Sequence, residues 1–295
     1  MRTYGLPYQG SKNHLAKRIV DLLPKAEHLY DVFAGGCSVS HAALESGKFD
    51  CVHFSDLNDS VLLFRDCLDG NIPDGSEWIS REEFYRRKDT DPYVRLVWSF
   101  SSNQRDYLYS REIEPYKKAL HEMIFAPTPN ERRLKFHEVY KIMQRIYPQV
   151  HRSKGIALNQ SQQNFYRLPS MEKSKFLKTL EHLQRLGRIM NPSQRRVGGA
   201  KVCDYRDVVI LPNSVIYCDI PYKNTKGYPG VNFDYDTFYN WCECQTAPVF
   251  ISEYWMPEDR FKCIAEFQTR CTFSSTNNNK QVLEKIFIPI NQNYK

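Results

Sequence analysis

Three short stretches of the 295-residue chain combine acids, aromatics and turn residues in a way that can do chemistry. In Tyr217-Cys218-Asp219-Ile220-Pro221-Tyr222 an apolar run ends in an acid, then a proline-fixed turn, then an aromatic. At the end of a strand this puts a carboxylate and a ring at the carboxyl edge of a sheet, where open α/β folds bind ligands. Asp219 and the carbonyl of Ile220 can together accept two hydrogen bonds from an exocyclic amine, with Tyr222 stacked on the ring that bears it. By itself the segment is better read as an ordinary strand exit with a proline turn. The second stretch is Asp31-Val32-Phe33-Ala34-Gly35-Gly36-Cys37-Ser38, a glycine turn that lets backbone approach a ligand at a helix N-terminus. It lacks the GxGxxG dinucleotide fingerprint, but Asp56 follows Gly36 by 20 residues, where an acid commonly grips ribose hydroxyls. The third, Gly5-Leu6-Pro7-Tyr8-Gln9-Gly10-Ser11-Lys12, reads GSK rather than GK[ST] and has only four residues before it, too few for the strand of an ATPase loop. It leaves an aromatic and a lysine at a helix start, suited to a small charged ligand.

The elements that must position these residues follow from periodicity. Asn13 to Leu23 has helical spacing and stops at Pro24, His28 to Phe33 reads as a strand, and Val39 to Leu44 as a helix of small residues. Cys51 to Asp56 is a second strand and Ser60 to Cys67 a second helix, so the chain opens as the βαβ unit of a doubly wound α/β domain. Beyond residue 70 the pattern changes to turn signals and helix candidates such as Ile113 to Phe125 and Glu131 to Ile146. Strand character returns at Val208–Leu211, Val215–Cys218, Val249–Ser252 and Ile286–Ile288. The expected organisation is a mostly parallel sheet domain built from residues 1–70 and 196–295, with an inserted helical and loop-rich domain at 71–195.

Charge is distributed unevenly. Residues 141–200 carry twelve Lys and Arg against Glu172 and Glu181, a net +10, leaving −3 for the rest of a chain whose total is +7. Such asymmetry points to a polyanion, with a solvated helix face as the alternative. Within it lies Asn159-Gln160-Ser161-Gln162-Gln163-Asn164-Phe165-Tyr166-Arg167, whose amides and arginine suit base edges, although a polar loop has the same composition. Asn103-Gln104-Arg105 is a weaker candidate of the same kind. Aromatic content of 14% argues against a disordered chain. No apolar run has the roughly 18 residues of a membrane span, and Met1 to Gly5 is not of signal-peptide type. Nine scattered cysteines without a CxxC pair, and a lone CxC at Cys242 and Cys244, are expected to be reduced thiols in a cytoplasm, with no metal site.

Taken together, the three stretches resemble the Dam-type family of N6-adenine DNA methyltransferases, over roughly residues 4–70 and 200–290. Tyr8-Gln9-Gly10-Ser11-Lys12 is similar to the family's N-terminal aromatic-x-G-[GS]-K motif, and Phe33-Ala34-Gly35-Gly36-Cys37 to its FxGxG cofactor motif. Ser55-Asp56-Leu57-Asn58 resembles its acidic second-strand motif and Asp219-Ile220-Pro221-Tyr222 its DPPY motif. Asp204-Tyr205 is a weaker match to the acid–aromatic pair that precedes the DPPY strand. Cofactor motif first, inserted recognition segment next and DPPY last is the order of the alpha group. Two positions depart: Cys37 stands for the second motif glycine and Ile220 for the first proline.

The resemblance implies a Rossmann-like fold that binds S-adenosyl-L-methionine and methylates an adenine flipped out of double-stranded DNA. Asp219, Ile220, Pro221 and Tyr222 are then the catalytic loop, and Tyr8, Lys12, Asp31, Phe33, Gly35, Asp56 and Asp204 the cofactor pocket. The basic stretch meets phosphates through Arg152 and Lys154, with Asn159, Gln160, Gln162, Arg167 and Arg105 as candidate DNA contacts. The expected enzyme is a monomer without an obligate protein partner, in the cytoplasm of a bacterial or phage-infected cell. Cytosine-C5 methylation requires a cysteine nucleophile, usually in a Pro-Cys pair, and none occurs. RNA adenine-N6 methylation, DNA cytosine-N4 methylation and a DNA-binding protein with a decayed site remain as alternatives.

Overall fold

A computed structural model describes residues 3–146, 175–189, 197–223, 233–270 and 281–292. In chain order the elements are α1 (Ala16–Leu22), β1 (Ala26–Asp31), α2 (Ser38–Ser46), β2 (Phe49–Asp56), α3 (Ser60–Asp69), α4 (Arg81–Arg87), α5 (Pro92–Val97), α6 (Glu114–Ile124), α7 (Pro129–Ile146) and α8 (Lys175–Ile189). There follow β3 (Val197–Val202), β4 (Ser214–Asp219), α9 (Tyr235–Cys244), β5 (Val249–Glu253), β6 (Phe261–Arg270) and β7 (Gln281–Pro289). The strands form one seven-stranded sheet in the order β3-β2-β1-β4-β5-β7-β6. The first five run parallel, and β7 pairs antiparallel with both β5 and β6. This is a mixed α/β sheet with flanking helices, as the Rossmann-like expectation requires.

Strand β4 is buried from Ser214 to Cys218 and β5 along its whole length, as parallel strands covered on both faces require. One core gathers Ile216, Cys218, Ile220, Phe238, Val249, Ile251 and Phe261 under α9. The order reverses at β1, which lies between β2 and β4. Their carboxyl ends therefore flank the crevice where such sheets hold ligands.

By its contacts the chain divides into two compact units, one of Met1–Leu6, Gly10–Arg65 and Met190–Lys295, the other of Pro7–Gln9 and Asp66–Ile189. The second unit holds α4 to α8. Sequence sets its helix starts: Ser80 accepts from the backbone N–H of Glu83, and Asp91, ahead of Pro92, accepts from Val94. Its interior is aromatic, with Trp98 fully buried against Phe176 at a ring separation of 4.6 Å.

One reading of the sequence is corrected. Val208–Leu211 is not a strand but the connection into β4; Val208 and Ile210 pack on the core, yet no neighbouring strand supplies a ladder, and Val209 is 72% exposed. The sheet is mostly parallel, as expected, with antiparallel pairing at one edge, where β7 joins β5 and β6. Among the described residues no helix is long and apolar enough to cross a membrane.

Candidate active site

Strands β1, β2, β4 and β5 all end in an acid: Asp31, Asp56, Asp219 and Glu253. Parallel neighbours in register bring these ends to one edge, and Asp219 pairs directly with Ser252, beside Glu253. Packing four carboxylates at a sheet edge raises their proton affinity. Burial pushes Asp31 up to about 7, against hydrogen bonds from Ser40 that pull it down. Burial likewise holds Glu253 at about 7 and raises Asp56 and Asp219.

The cation that answers this charge is Lys12. Its Nζ lies 2.8 Å from Asp219 Oδ1 and 3.1 Å from Glu284 Oε1, and sits 4.5 Å above the centre of the Tyr222 ring. Burial works against the ammonium, but the two carboxylates outweigh it and raise its pKa. At Asp219 the same contact opposes the upward push of burial. Tyr222 donates its hydroxyl to Glu284 and meets Tyr254 edge-on at 4.6 Å. The loop after Asp219 is held from below as well: Tyr235 donates to the carbonyl of Pro221 at 2.9 Å, and the Lys223 backbone N–H to Glu253 at 2.9 Å.

The glycine turn stands at the end of β1. Gly35 and Cys37 both have left-handed backbone, with φ of 50° and 57°, and Cys37 caps the start of α2. The turn is fastened from three sides. Asp56 Oδ2 accepts from Gly35 N at 2.8 Å, Ser60 Oγ donates to the Gly35 carbonyl at 2.7 Å, and Leu6 N donates to the Gly36 carbonyl at 2.6 Å. Asp31 Oδ2 accepts from the N–H and hydroxyl of Ser40 in α2, at 3.2 Å and 2.6 Å, while its Oδ1 is buried without a hydrogen-bond partner. Phe33 packs on Tyr205, Phe233 and Phe238 within 6 Å between ring centres. Asp204 caps the short turn Tyr205–Asp207 and chelates Arg206, with Nε to Oδ1 at 2.8 Å.

The structure thus brings together Lys12, Asp31, Gly35, Asp56 and Asp219 with Ile220, Pro221 and Tyr222, while the side chains of Phe33 and Asp204 are spent on the aromatic core and on Arg206. Tyr8 belongs to Pro7–Gln9 of the second unit. Arg105 is an exposed residue whose backbone N–H donates to Asn103 Oδ1 at 2.9 Å. Arg152, Lys154, Asn159, Gln160, Gln162 and Arg167 lie outside the described residues. Sequence reading missed Glu253 and Glu284. Glu253 carries the same signal as Asp219, an apolar strand ending in an acid; Glu284 is an acid inside the apolar run Val282 to Ile288.

The model of the D12 class N6 adenine-specific DNA methyltransferase family matches residues 8–244. The chain belongs to that family. The match spans the Tyr8–Lys12 motif, the glycine turn and the Asp219–Tyr222 loop, and it makes this methyltransferase an enzyme that acts on adenine in DNA. No curated protein gives a significant match to the chain. For the methyltransferase the chemistry of the donor set fits a nucleoside-bearing sulfonium. Asp56 accepts from the backbone N–H groups of Gly35, Asn58 and Leu57, and a carboxylate, with about four lone-pair positions, keeps acceptor capacity beyond them. The turn of Gly35 to Cys37 and the acidic edge around it suit close approach of a cationic ligand.

Proposed function

We propose that this methyltransferase transfers the methyl group of S-adenosyl-L-methionine to N6 of an adenine turned out of duplex DNA, using Asp219 and the Ile220 carbonyl as paired acceptors. The observation that carries the reading is the Lys12–Asp219 pair at the end of β4, beside the glycine turn of β1. When bound, the sulfonium supplies an activated methyl group. Adenine N6 is a poor nucleophile because its lone pair is delocalised into the ring. Accepting both N6–H bonds favours a tetrahedral nitrogen and turns its lone pair outward. Asp219 Oδ1 is engaged by Lys12, which leaves Oδ2 for the amine. The same carboxylate is placed to take the proton that N6 sheds after transfer. Holding both reactants in line supplies much of the remaining acceleration.

Tyr222 offers a ring for the extruded base, and its hydroxyl, held by Glu284, fixes that ring. Extrusion costs a few kcal/mol, which stacking and the two N6 hydrogen bonds offset. Residues 1–70 and 196–295 are assigned to cofactor binding and catalysis, and 71–195 to DNA recognition. The net charge of +10 over 141–200 supports that division. The test is methyl incorporation from labelled S-adenosyl-L-methionine into unmethylated duplex DNA, followed by nucleoside analysis, for wild type and Asp219→Ala. N6-methyladenine from wild type alone is expected. N4-methylcytosine would overturn the base assignment, and an undiminished rate in the variant would overturn the role of Asp219.

A further inference from the structure

Outside the catalytic edge, one group of side chains has no part in the reaction. His28 of β1 and Cys51 of β2 are direct partners across the parallel pair, and two residues on His53 faces Tyr30. Alternation along the strands puts all four side chains on one face of the sheet. One donor atom each from His28, Cys51 and His53 lies within 4.8 Å of the others. We propose that these three residues form a metal site of the zinc class, with water completing the tetrahedron.

Several features are compatible with an ion in place of the hydrogen bond that joins the two rings. His28 Nδ1 and His53 Nε2 stand 3.2 Å apart. Two imidazole nitrogens on a tetrahedral Zn²⁺, each at about 2.05 Å, are separated by about 3.3 Å. The other ring nitrogen of His28, Nε2, is 3.9 Å from Glu27 Oε1. That is beyond hydrogen-bond distance, so Glu27 adds negative charge near the site and does not itself orient the ring. The His53 ring is clamped by Tyr30, stacked at 4.3 Å with an interplanar angle of 4°. Opposite them, β3 presents Gly198 at a register irregularity, and any side chain there would run into Cys51 Sγ and the His53 ring. Glycine at this position is what lets β3 backbone pack directly against the Cys51 sulfur and the His53 ring, holding both in place. All three are half-buried, so solvent reaches the fourth position.

Two imidazoles and one thiolate suit Zn²⁺. Binding forms a metal–sulfur bond as the thiol proton of Cys51 leaves to solvent, and the thiolate neutralises half of the ion's charge. Lys201 of β3 places a positive charge within electrostatic reach of His53, which opposes the ion. With no substrate-facing group nearby, the ion would be structural, tying β1 to β2.

The experiment is titration of the chelator-treated full chain with Co²⁺ as a spectroscopic stand-in. One equivalent per chain is expected to give the visible bands of tetrahedral cobalt and a thiolate-to-cobalt charge-transfer band, both lost when Zn²⁺ is added. Cys51→Ser is expected to remove the charge-transfer band, and His28→Gln to weaken binding at least about tenfold. Circular dichroism of the metal-free variants separates loss of ligation from loss of folding. A wild-type protein without the charge-transfer band would overturn the proposal. So would a band that survives in Cys51→Ser, because another of the nine cysteines would then be the ligand. Neither readout depends on methyl transfer.

Discussion

Gly5 and Gly47 offer a controlled test of how tightly the N-terminal segment is seated on the glycine turn. Both have left-handed backbone, with φ of +67° and +65°. Around Gly47 no atom lies within 4 Å of an added Cβ, whereas at Gly5 that atom would meet the Gly36 carbonyl and come within 2.7 Å of Ser38 N, both backbone. Alanine in left-handed conformation costs about 1–2 kcal/mol wherever it stands, and that is the whole cost expected for Gly47→Ala. Gly5→Ala must in addition push the segment away from the turn. That movement breaks Gly5 N–H to His41 Nδ1 at 2.9 Å and Leu6 N–H to the Gly36 carbonyl at 2.6 Å. At about 1 kcal/mol for each hydrogen bond, the difference between the variants is about 2 kcal/mol. In a unit of this size about 2–4 °C of Tm correspond to 1 kcal/mol, so Gly5→Ala is expected to melt about 4–8 °C below Gly47→Ala by calorimetry. S-adenosyl-L-methionine binding, measured by titration calorimetry, should weaken in Gly5→Ala and stay at the wild-type value in Gly47→Ala. Equal melting shifts would refute the reasoning, because both glycines share the left-handed backbone and only Gly5 faces the clash and the loss of hydrogen bonds that follows from it.

Lys12→Met removes the cation from between Asp219 and Glu284 and is expected to cost about 3 kcal/mol of stability. Since protonation relieves the two stranded carboxyls, the loss should shrink as pH falls; a loss independent of pH in denaturant titrations would contradict it. Asp31, held near 7 by burial, keeps its proton in the folded chain at pH values where the unfolded chain has released it. Stability therefore falls as pH rises through about 4 to about 7, and Asp31→Asn should show a smaller drop in Tm between about pH 5 and about pH 8 than wild type. Replacing Arg152 and Lys154 by Gln should weaken binding to all DNA sequences and reduce the log–log salt slope by about 1.8. An unchanged slope would remove both from the DNA interface.

What was legible in the sequence was what local rules control. A strand ending in an acid before a proline turn, and a glycine turn before a helix, are encoded over six to eight neighbours, and they place Asp219, Gly35 and Asp56 where the structure has them. Strand β3, with Gly198 and Gly199 in its six residues, has too little strand propensity to be seen and exists because β2 offers it a ladder. Glu284 was hidden for a different reason. Its role depends on β7 entering the sheet antiparallel beside β5, a register that no pattern within Gln281–Pro289 reveals. The juxtaposition of His28, Cys51 and His53 was hidden in the same way, since their spacing of 23 and 25 positions from His28 acquires meaning only through the parallel pairing of β1 with β2.

The two departures from the family motifs are each compensated by packing. At Cys37 a side chain stands in left-handed backbone, at a cost of about 1–2 kcal/mol. The residue is fully buried, so its thiol joins the core, and its N–H closes the turn on the Ala34 carbonyl at 2.6 Å. Cysteine is small enough to fit a turn built for glycine, and its burial recovers part of the strain. At Ile220 the lost proline would have restricted the backbone through its ring. The isoleucine side chain instead enters the core under α9 and is only 2% exposed. Burying such a side chain is worth about 1.5–3 kcal/mol, which anchors the loop at the residue whose carbonyl faces the amine in the proposed reaction. Pro221 still biases Ile220 toward extended geometry, and Tyr235, Glu253 and Glu284 hold the next three residues through separate hydrogen bonds. Rigidity that the family motif draws from a second proline is here distributed over one buried aliphatic and three polar contacts, so the loop has the means to keep Asp219 and its neighbouring carbonyl in a fixed relation.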